Sequence, residues 1–244
     1  MSKIKQFIIK YRILLLILLI SIIILLVGVG IYYHHTYEIH PDFKKIKLDG
    51  YNKLMIVAHP DDEILWGGSG LIEDKYLVVC ITCGTKKSRV YEFVNVMHET
   101  NDKYIMLGYP DKTNGERDNW ETVYDDITKD INEIVNLKDW EQIVVHNPDG
   151  EYGHQHHKMT SAITTEVVSN KDVLYYFGKY YSKKTISDHY DELVSMNTKT
   201  LNTKKKIIGM YRTQSFIQTS FDQMFPYENW IEYKDWEEEV NETA

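Results

Sequence analysis

The apolar positions along the chain follow two regimes. Between Ile13 and Tyr33 stand 21 residues without a charge, mostly Ile and Leu. At about 1.5 Å per residue, a helix of that length spans a hydrocarbon core of about 30 Å. Being apolar all round, it is unlike a helix that packs one stripe onto a core. From Lys53 onward, short apolar runs alternate with amphipathic stretches. Leu54–Ala58, Leu77–Thr82, Tyr104–Leu107, Gln142–His146 and Val173–Phe177 read as strands, and helical patterns lie near 62–72, 87–100, 121–136 and 156–169. Strands that are apolar throughout and alternate with helices belong to a parallel sheet covered on both faces. The predicted class is therefore α/β: a Rossmann-like, doubly wound, mostly parallel sheet, preceded by one N-terminal transmembrane helix. Thr198 to Met210 is a further helix with a basic face. Tyr227 to Val240 is aromatic and acidic, and its Trp230 and Trp236 are read as packing against the domain.

This pattern divides the chain into residues 1–12 in the cytoplasm, a membrane anchor at 13–33, a polar tether at 34–50 and a folded domain at 51–244. Lys3, Lys5, Lys10 and Arg12 precede the apolar run and no acid does. The positive-inside rule then predicts a single-pass cell-membrane protein with its N-terminus in the cytoplasm and its domain outside. A cleaved signal peptide has an apolar region of about 7–15 residues and a small-residue cleavage site. Here the run is longer and ends in two tyrosines, so an uncleaved anchor is expected.

Charge narrows the partners. Residues 1–33 hold four of the 28 cations and none of the 36 acids, which leaves the remainder at −12. That argues against nucleic acid as a partner and says little about a neutral sugar. Cys80 and Cys83 lie in one strand-like run, where positions i and i+3 face opposite sides. Two buried thiols are expected, rather than a redox or metal pair.

The candidate chemistry sits at strand ends. "AHPDDE", residues 58–63, follows the first strand of the domain. Pro60 keeps His59 extended, and three acids lead into a helix start. Acids suit the positive end of a helix, but capping accounts for one or two of them and not for the histidine. A metal accounts for more: imidazole and carboxylate are good Zn2+ ligands. His59 and one aspartate could supply two ligands, with the other aspartate as general base on water. A third ligand is expected from "HNPDGEYGHQHHK", residues 146–158, which holds four of the chain's ten histidines. His154 and His157 share one face of a helix start, so one could ligate while the other faces substrate. His146 ends its strand and could approach the same place.

"AHPDDE" before a Gly-rich helix, with the later "GHxxH", resembles the PIG-L/LmbE-type zinc de-N-acetylases, over about Lys53 to Asn170. That resemblance implies removal of acetyl groups from N-acetylglucosamine-containing substrates. It implies metal ligands His59, Asp62 and His157, the general base Asp61, and His154 as oxyanion stabiliser or acid, provided its ring is protonated. Arg89, in "RVYEF", and Asp111, in "GYPD", are the implied substrate contacts. Zinc is the implied metal, and Fe2+ or Co2+ would fit the same ligands. Glu63 is read as supporting the site or starting the helix, not as a ligand. Many relatives read H-P-D-H where this chain reads His154-Gln155-His156-His157, so His156 must take over the acid's support or that support is lost. The expected function is deacetylation of a glycan or glycolipid outside the cytoplasm. The alternatives are a metal-dependent amidase for another N-acylated substrate, a non-catalytic glycan-binding protein, and a membrane-anchored scaffold without metal.

Overall fold

The computed structural model describes residues 3–35 and 39–243, with side chains for 11–27 and 39–238. The chain divides at Ile39 into two units. The first is helix α1, Lys3–His35, and its apolar side chains from Ile13 to Val27 are exposed all round. Among the described residues, no helix is long and apolar enough to cross a membrane. The predicted span reaches Tyr33, and its side chains beyond Val27 lie outside the described residues. So do residues 1–2 of the predicted cytoplasmic segment and 36–38 of the predicted tether.

The second unit alternates strands and helices. It begins β1 (Lys53–Val57), α2 (Asp62–Glu73), β2 (Tyr76–Thr82), α3 (Lys87–Thr100) and β3 (Lys103–Tyr109). A two-stranded hairpin follows, β4 (Lys112–Thr113) with β5 (Glu116–Arg117), and then α4 (Tyr124–Val135) and β6 (Gln142–Val145). Next come α5 (Gly150–Gly153), α6 (Gln155–Val167), β7 (Leu174–Tyr176), α7 (Thr198–Ile208), α8 (Ile217–Ser220), β8 (Ile231–Glu232) and α9 (Tyr233–Thr243). The main sheet has the order β3-β2-β1-β6-β7-β8. All its pairs are parallel except β7 with β8. The predicted mixed α/β class with a mostly parallel sheet is thus what forms. The antiparallel edge strand is the part that was not predicted, since two residues carry no periodicity.

Successive strand residues point to opposite faces, which explains why these strands are apolar throughout. Leu54, Ile56, Leu77, Val79, Ile143 and Val145 meet Ile127, Ile131 and Ile134 of α4 and Ile163 of α6 in one core. On the other face Met55 points at α2. A Cβ on Gly67 would run into the Met55 thioether and stand 3.2 Å from Phe177, so the glycine lets α2 lie close to the sheet. Trp236 is buried against Tyr176, and Trp230 donates its indole N–H to Trp66 O at 2.9 Å. Both tryptophans therefore pack as predicted. Cys80 and Cys83 are free and buried, and burial raises both thiols above their ordinary pKa.

The tether needs correction. Ile39 bridges to Met106 in parallel, Phe43 is buried, and Ile46 and Leu48 pack against the core. Residues 39–50 are therefore part of the domain. Their apolar side chains are spaced among lysines, which hid them in a polar-looking stretch.

Asp102 links α3 to the sheet by accepting Tyr76 N–H at 2.7 Å, while its second oxygen is buried without a partner. Burial pushes its pKa up from 3.8 to about 7. Between those values the native state binds more protons than the unfolded chain, so stability falls as pH rises. Asp102→Asn should remove that slope, which is on the order of 4 kcal/mol between pH 4 and 7. Urea melts of both proteins at several pH values would show it, and parallel pH profiles would refute it.

Candidate active site

The strand order reverses between β1 and β6, and in such sheets ligands bind at the carboxyl ends of the strands flanking that point. The two predicted motifs leave those ends. Ala58 N–H donates to His146 Nε2 at 3.1 Å and ties the two strand ends together. On the other side, Thr82 donates to Ala58 O from both its backbone N–H, at 3.0 Å, and its hydroxyl, at 2.8 Å.

Of the three acids, only Glu63 bonds a backbone group of the helix start. Asp61 precedes α2 with φ 114° and makes no side-chain cap. Its carboxylate faces Arg89 Nη2 at 3.3 Å. Asp62 turns back so that Oδ2 accepts His59 N–H at 2.8 Å. Glu63 accepts Asp61 N–H at 2.9 Å and the Tyr211 hydroxyl at 2.5 Å, which agrees with a supporting role.

Asp62 Oδ2 also lies 3.2 Å from His59 Nδ1, 3.3 Å from His157 Nε2 and 3.4 Å from His146 Nε2. Although that close to Asp62, buried His157 Nε2 forms no hydrogen bond of good geometry, and neither does His154 Nδ1. The His154 ring stands 4.7 Å from that of His59 and 4.3 Å from that of His157. Behind them Glu151 Oε2 accepts from His146 Nδ1 at 2.9 Å and His157 Nδ1 at 2.5 Å. Its Oε1 accepts Asn147 N–H at 3.1 Å. Glu151 has φ 52°, a left-handed conformation uncommon for a residue with a side chain.

The two predicted substrate contacts are partly occupied within the protein. Arg89 is buried and donates to Pro60 O as well as facing Asp61. Its i+3 neighbour Glu92 instead accepts from Thr213. Asp111 accepts from Lys86 Nζ at 2.8 Å and stands 3.6 Å from His59 Nε2. His156 stacks on Trp120, with centroids 4.3 Å apart and planes 6° from parallel.

These environments drive the site's proton affinities apart. Burial raises Asp61 well above the carboxylate range, against the opposing pull of Arg89. Burial would raise Asp62 too, but His157 and His146 outweigh it and hold Asp62 well below that range. Burial and the neighbouring rings of His157 and His59 push His154 down to about 2. The ring is therefore neutral, so the condition set for its acting as a protonated group is not met. Burial likewise lowers His156 to about 4, helped by His59. His157 overcomes burial through Asp62 and Glu151 and rises to about 9.

Among the described residues, three groups bring ligand atoms within 4.8 Å of one another: His59, His154 and His157; Asp62, His146 and His157; and His59, Asp111 and His156. The sequence profile of the PIG-L family, described as GlcNAc-PI de-N-acetylase, matches residues 54–168. "Uncharacterized protein L374" of Acanthamoeba polyphaga mimivirus is 33% identical over 174 residues, covering 64% of this chain and 73% of that protein. This chain belongs to the PIG-L family of de-N-acetylases. Its fold is also that of two solved deacetylases. The A40926 pseudoaglycone deacetylase Dbv21 is 16% identical with a TM-score of 0.55, covering 70% of this chain and 86% of its own. A deacetylase of the teicoplanin biosynthesis pathway is 15% identical with a TM-score of 0.54, covering 68% and 86%.

Within this PIG-L family chain, His59, Asp62, His154 and His157 cluster at the strand ends, with Asp61 on Arg89 and Asp111 beside His59; the expected ligands His59, Asp62 and His157 are divided between two of those three groups. Reading the sequence missed Glu151, whose place in "DGEYG" looks like a turn. It also missed Trp120 beneath His156, and Tyr211, which lies 148 residues from Glu63.

Glu151→Gln should cost about 1–3 kcal/mol, because an amide whose oxygen accepts from both imidazoles turns its own N–H groups against the Asn147 backbone N–H. His146 and His157 hold the native Glu151 carboxyl down at about 2, against an ordinary 4.5. The stabilisation it gives is thus present above pH 4.5 and lost as pH falls toward 2. Chemical denaturation at pH 7 and pH 3 should show the variant's deficit shrinking; an equal deficit at both would refute this account.

Proposed function

We propose that this PIG-L family member is a metal-dependent deacetylase that hydrolyses the N-acetyl group of an N-acetylglucosamine-containing glycan or glycolipid. The observation that carries the reading is the approach of imidazole nitrogens to Asp62. Ligand atoms held tetrahedrally at about 2.0–2.1 Å from zinc lie about 3.3 Å from one another. His59 Nδ1 and His157 Nε2 stand 3.2 and 3.3 Å from Asp62 Oδ2, and His157 Nε2 is buried without a hydrogen bond. His59, Asp62 and His157 would hold the ion, Zn2+ first, with Fe2+ or Co2+ suiting the same donors. When bound, such an ion polarises the amide carbonyl and lowers the pKa of water to about 7.

The remaining work falls to the chain's own groups. Asp61 takes the proton of the attacking water on its carboxylate, and its raised proton affinity suits it to that task. Arg89, bonded to Pro60 O and facing Asp61, orients that carboxylate. His154 is neutral, so it acts as a hydrogen-bond donor to the charge developing on the carbonyl oxygen. Asp61 then returns its proton to the departing amine. Arg89 and Asp111 border the space where the sugar would lie.

The same proposal includes a single membrane anchor, with the domain outside the cytoplasm. It is supported by the charge-free run Ile13 to Tyr33 on one continuous helix, by the four cations before it, and by the all-round exposure of Ile13 to Val27. Accessible N-acetylated sugars would then be envelope polymers, exported glycans or glycolipid head groups.

The test is acetate release by the full chain in detergent, from N-acetylglucosamine glycans and glycolipids, with and without added Zn2+. Metal-dependent release is expected, and Asp61→Asn should cut it by at least about 100-fold while leaving bound zinc unchanged. Near-normal turnover in that variant would remove Asp61 as the base. A folded protein that binds no metal would sink the reading as a whole.

A further inference from the structure

The departure at position 156 has a second consequence. His156 Nε2 lies 2.6 Å from the backbone carbonyl oxygen of Asp118. A carbonyl only accepts, so Nε2 carries the proton. Nδ1 of a neutral His156 then presents a lone pair, and it faces His59 Nε2 at 3.0 Å. That contact is a hydrogen bond only if His59 is protonated on Nε2. The lone pair of His59 is then on Nδ1, the atom 3.2 Å from Asp62 Oδ2. Two acceptors face each other there, an arrangement that a cation between them makes favourable.

We infer that His156 is a positioning residue: with the Asp118 carbonyl behind it and Trp120 beneath it, it holds His59 in the tautomer whose Nδ1 can ligate a metal. It does for His59 what Glu151 does for His157, which donates Nδ1–H to that carboxylate and so has its Nε2 turned toward Asp62. Imidazoles that ligate metals are commonly fixed by a partner on the other nitrogen. Here one partner is an anion and the other a neutral ring. Trp120 makes the arrangement rigid. It is fully buried, donates its indole N–H to Pro110 O at 2.7 Å, and stacks on His156. The rival use of these atoms, a second cation between His59, Asp111 and His156, is opposed by Lys86, whose ammonium already sits on Asp111.

This inference rests on the reading of His59 as a ligand, and two measurements separate the two. The first is long-range 1H–15N NMR of the metal-free full chain in micelles, with 15N-labelled histidine, which reads the tautomer directly. His59 protonated on Nε2 is expected; His59 protonated on Nδ1 would overturn the inference whatever the protein binds. The second is Zn2+ affinity by competition with a chromophoric chelator. His156→Phe keeps the stacking volume but has no acceptor, so it should weaken binding about 10–100-fold. His156→Asp puts an acceptor back toward His59 and should recover most of that loss. Equal losses in both variants would mean that His156 acts by packing alone. Absence of zinc binding by the parent protein would defeat the functional reading, with the NMR result still deciding the tautomer.

Discussion

Oδ2 of Asp62 is the atom on which two distant parts of the chain meet. It accepts the His59 backbone N–H, stands within 3.4 Å of nitrogens on His59, His146 and His157, and is buried. A buried carboxylate without compensation costs several kcal/mol, so everything around it must supply positive potential or protons. The strand ends β1 and β6 are adjacent so that motifs 88 residues apart can do this. Glu151 adds a second buried anion behind the same imidazoles. The raised proton affinity of His157 is the direct result: it lies between two carboxylates.

Adjacent carboxylates with opposite behaviour are the chemical signature of the site. Asp61 and Asp62 are neighbours in sequence, yet the left-handed backbone at Asp61 sends their side chains to different surroundings. Asp61 faces one guanidinium across a desolvated gap and has a raised proton affinity. Asp62 faces imidazoles and does not. Groups whose proton affinities are driven apart in this way can divide labour between proton transfer and ligation. Glu63, third in the row, is pushed up to about 7 by burial. Its bonds from Tyr211 and Asp61 N–H are structural, fastening the turn rather than reaching the pocket.

The strands and helices of the domain were readable because a parallel sheet demands continuous apolar runs, and Leu54–Val57 and Tyr76–Thr82 supply them without interruption. The gathering of His59, Asp62 and His157 was readable because two motifs rich in histidine and acid each follow a strand end. Other parts had no local signal. Glu151 reaches two histidines only because its φ is positive, which a sequence shows when the residue is glycine and hides when it is glutamate. Trp120 also has positive φ, 55°, in a stretch that reads as loop. Phe43, Ile46 and Leu48 were masked by lysines, which moved the expected start of the domain from Ile39 to residue 51. The neutral state of His154 was not legible, because a sequence does not show that two other imidazoles stand beside it.

Charge balance gives a reason for a histidine at position 156. Asp61 is matched by Arg89 and Asp111 by Lys86, and once His157 gives up its second proton to ligate, Asp62 and Glu151 are left as two unmatched anions. A divalent ion of the kind proposed would neutralise that pair. An aspartate at 156 would add a third negative charge beside His59. Such a site would hold a metal with a residual charge in a low-dielectric pocket, where an unmatched anion is costly. A neutral imidazole accepts the same hydrogen bond from His59 without adding that charge. With Glu151 already an anion beside the imidazoles, a neutral ring at position 156 keeps the charge of the site within what a divalent ion can match.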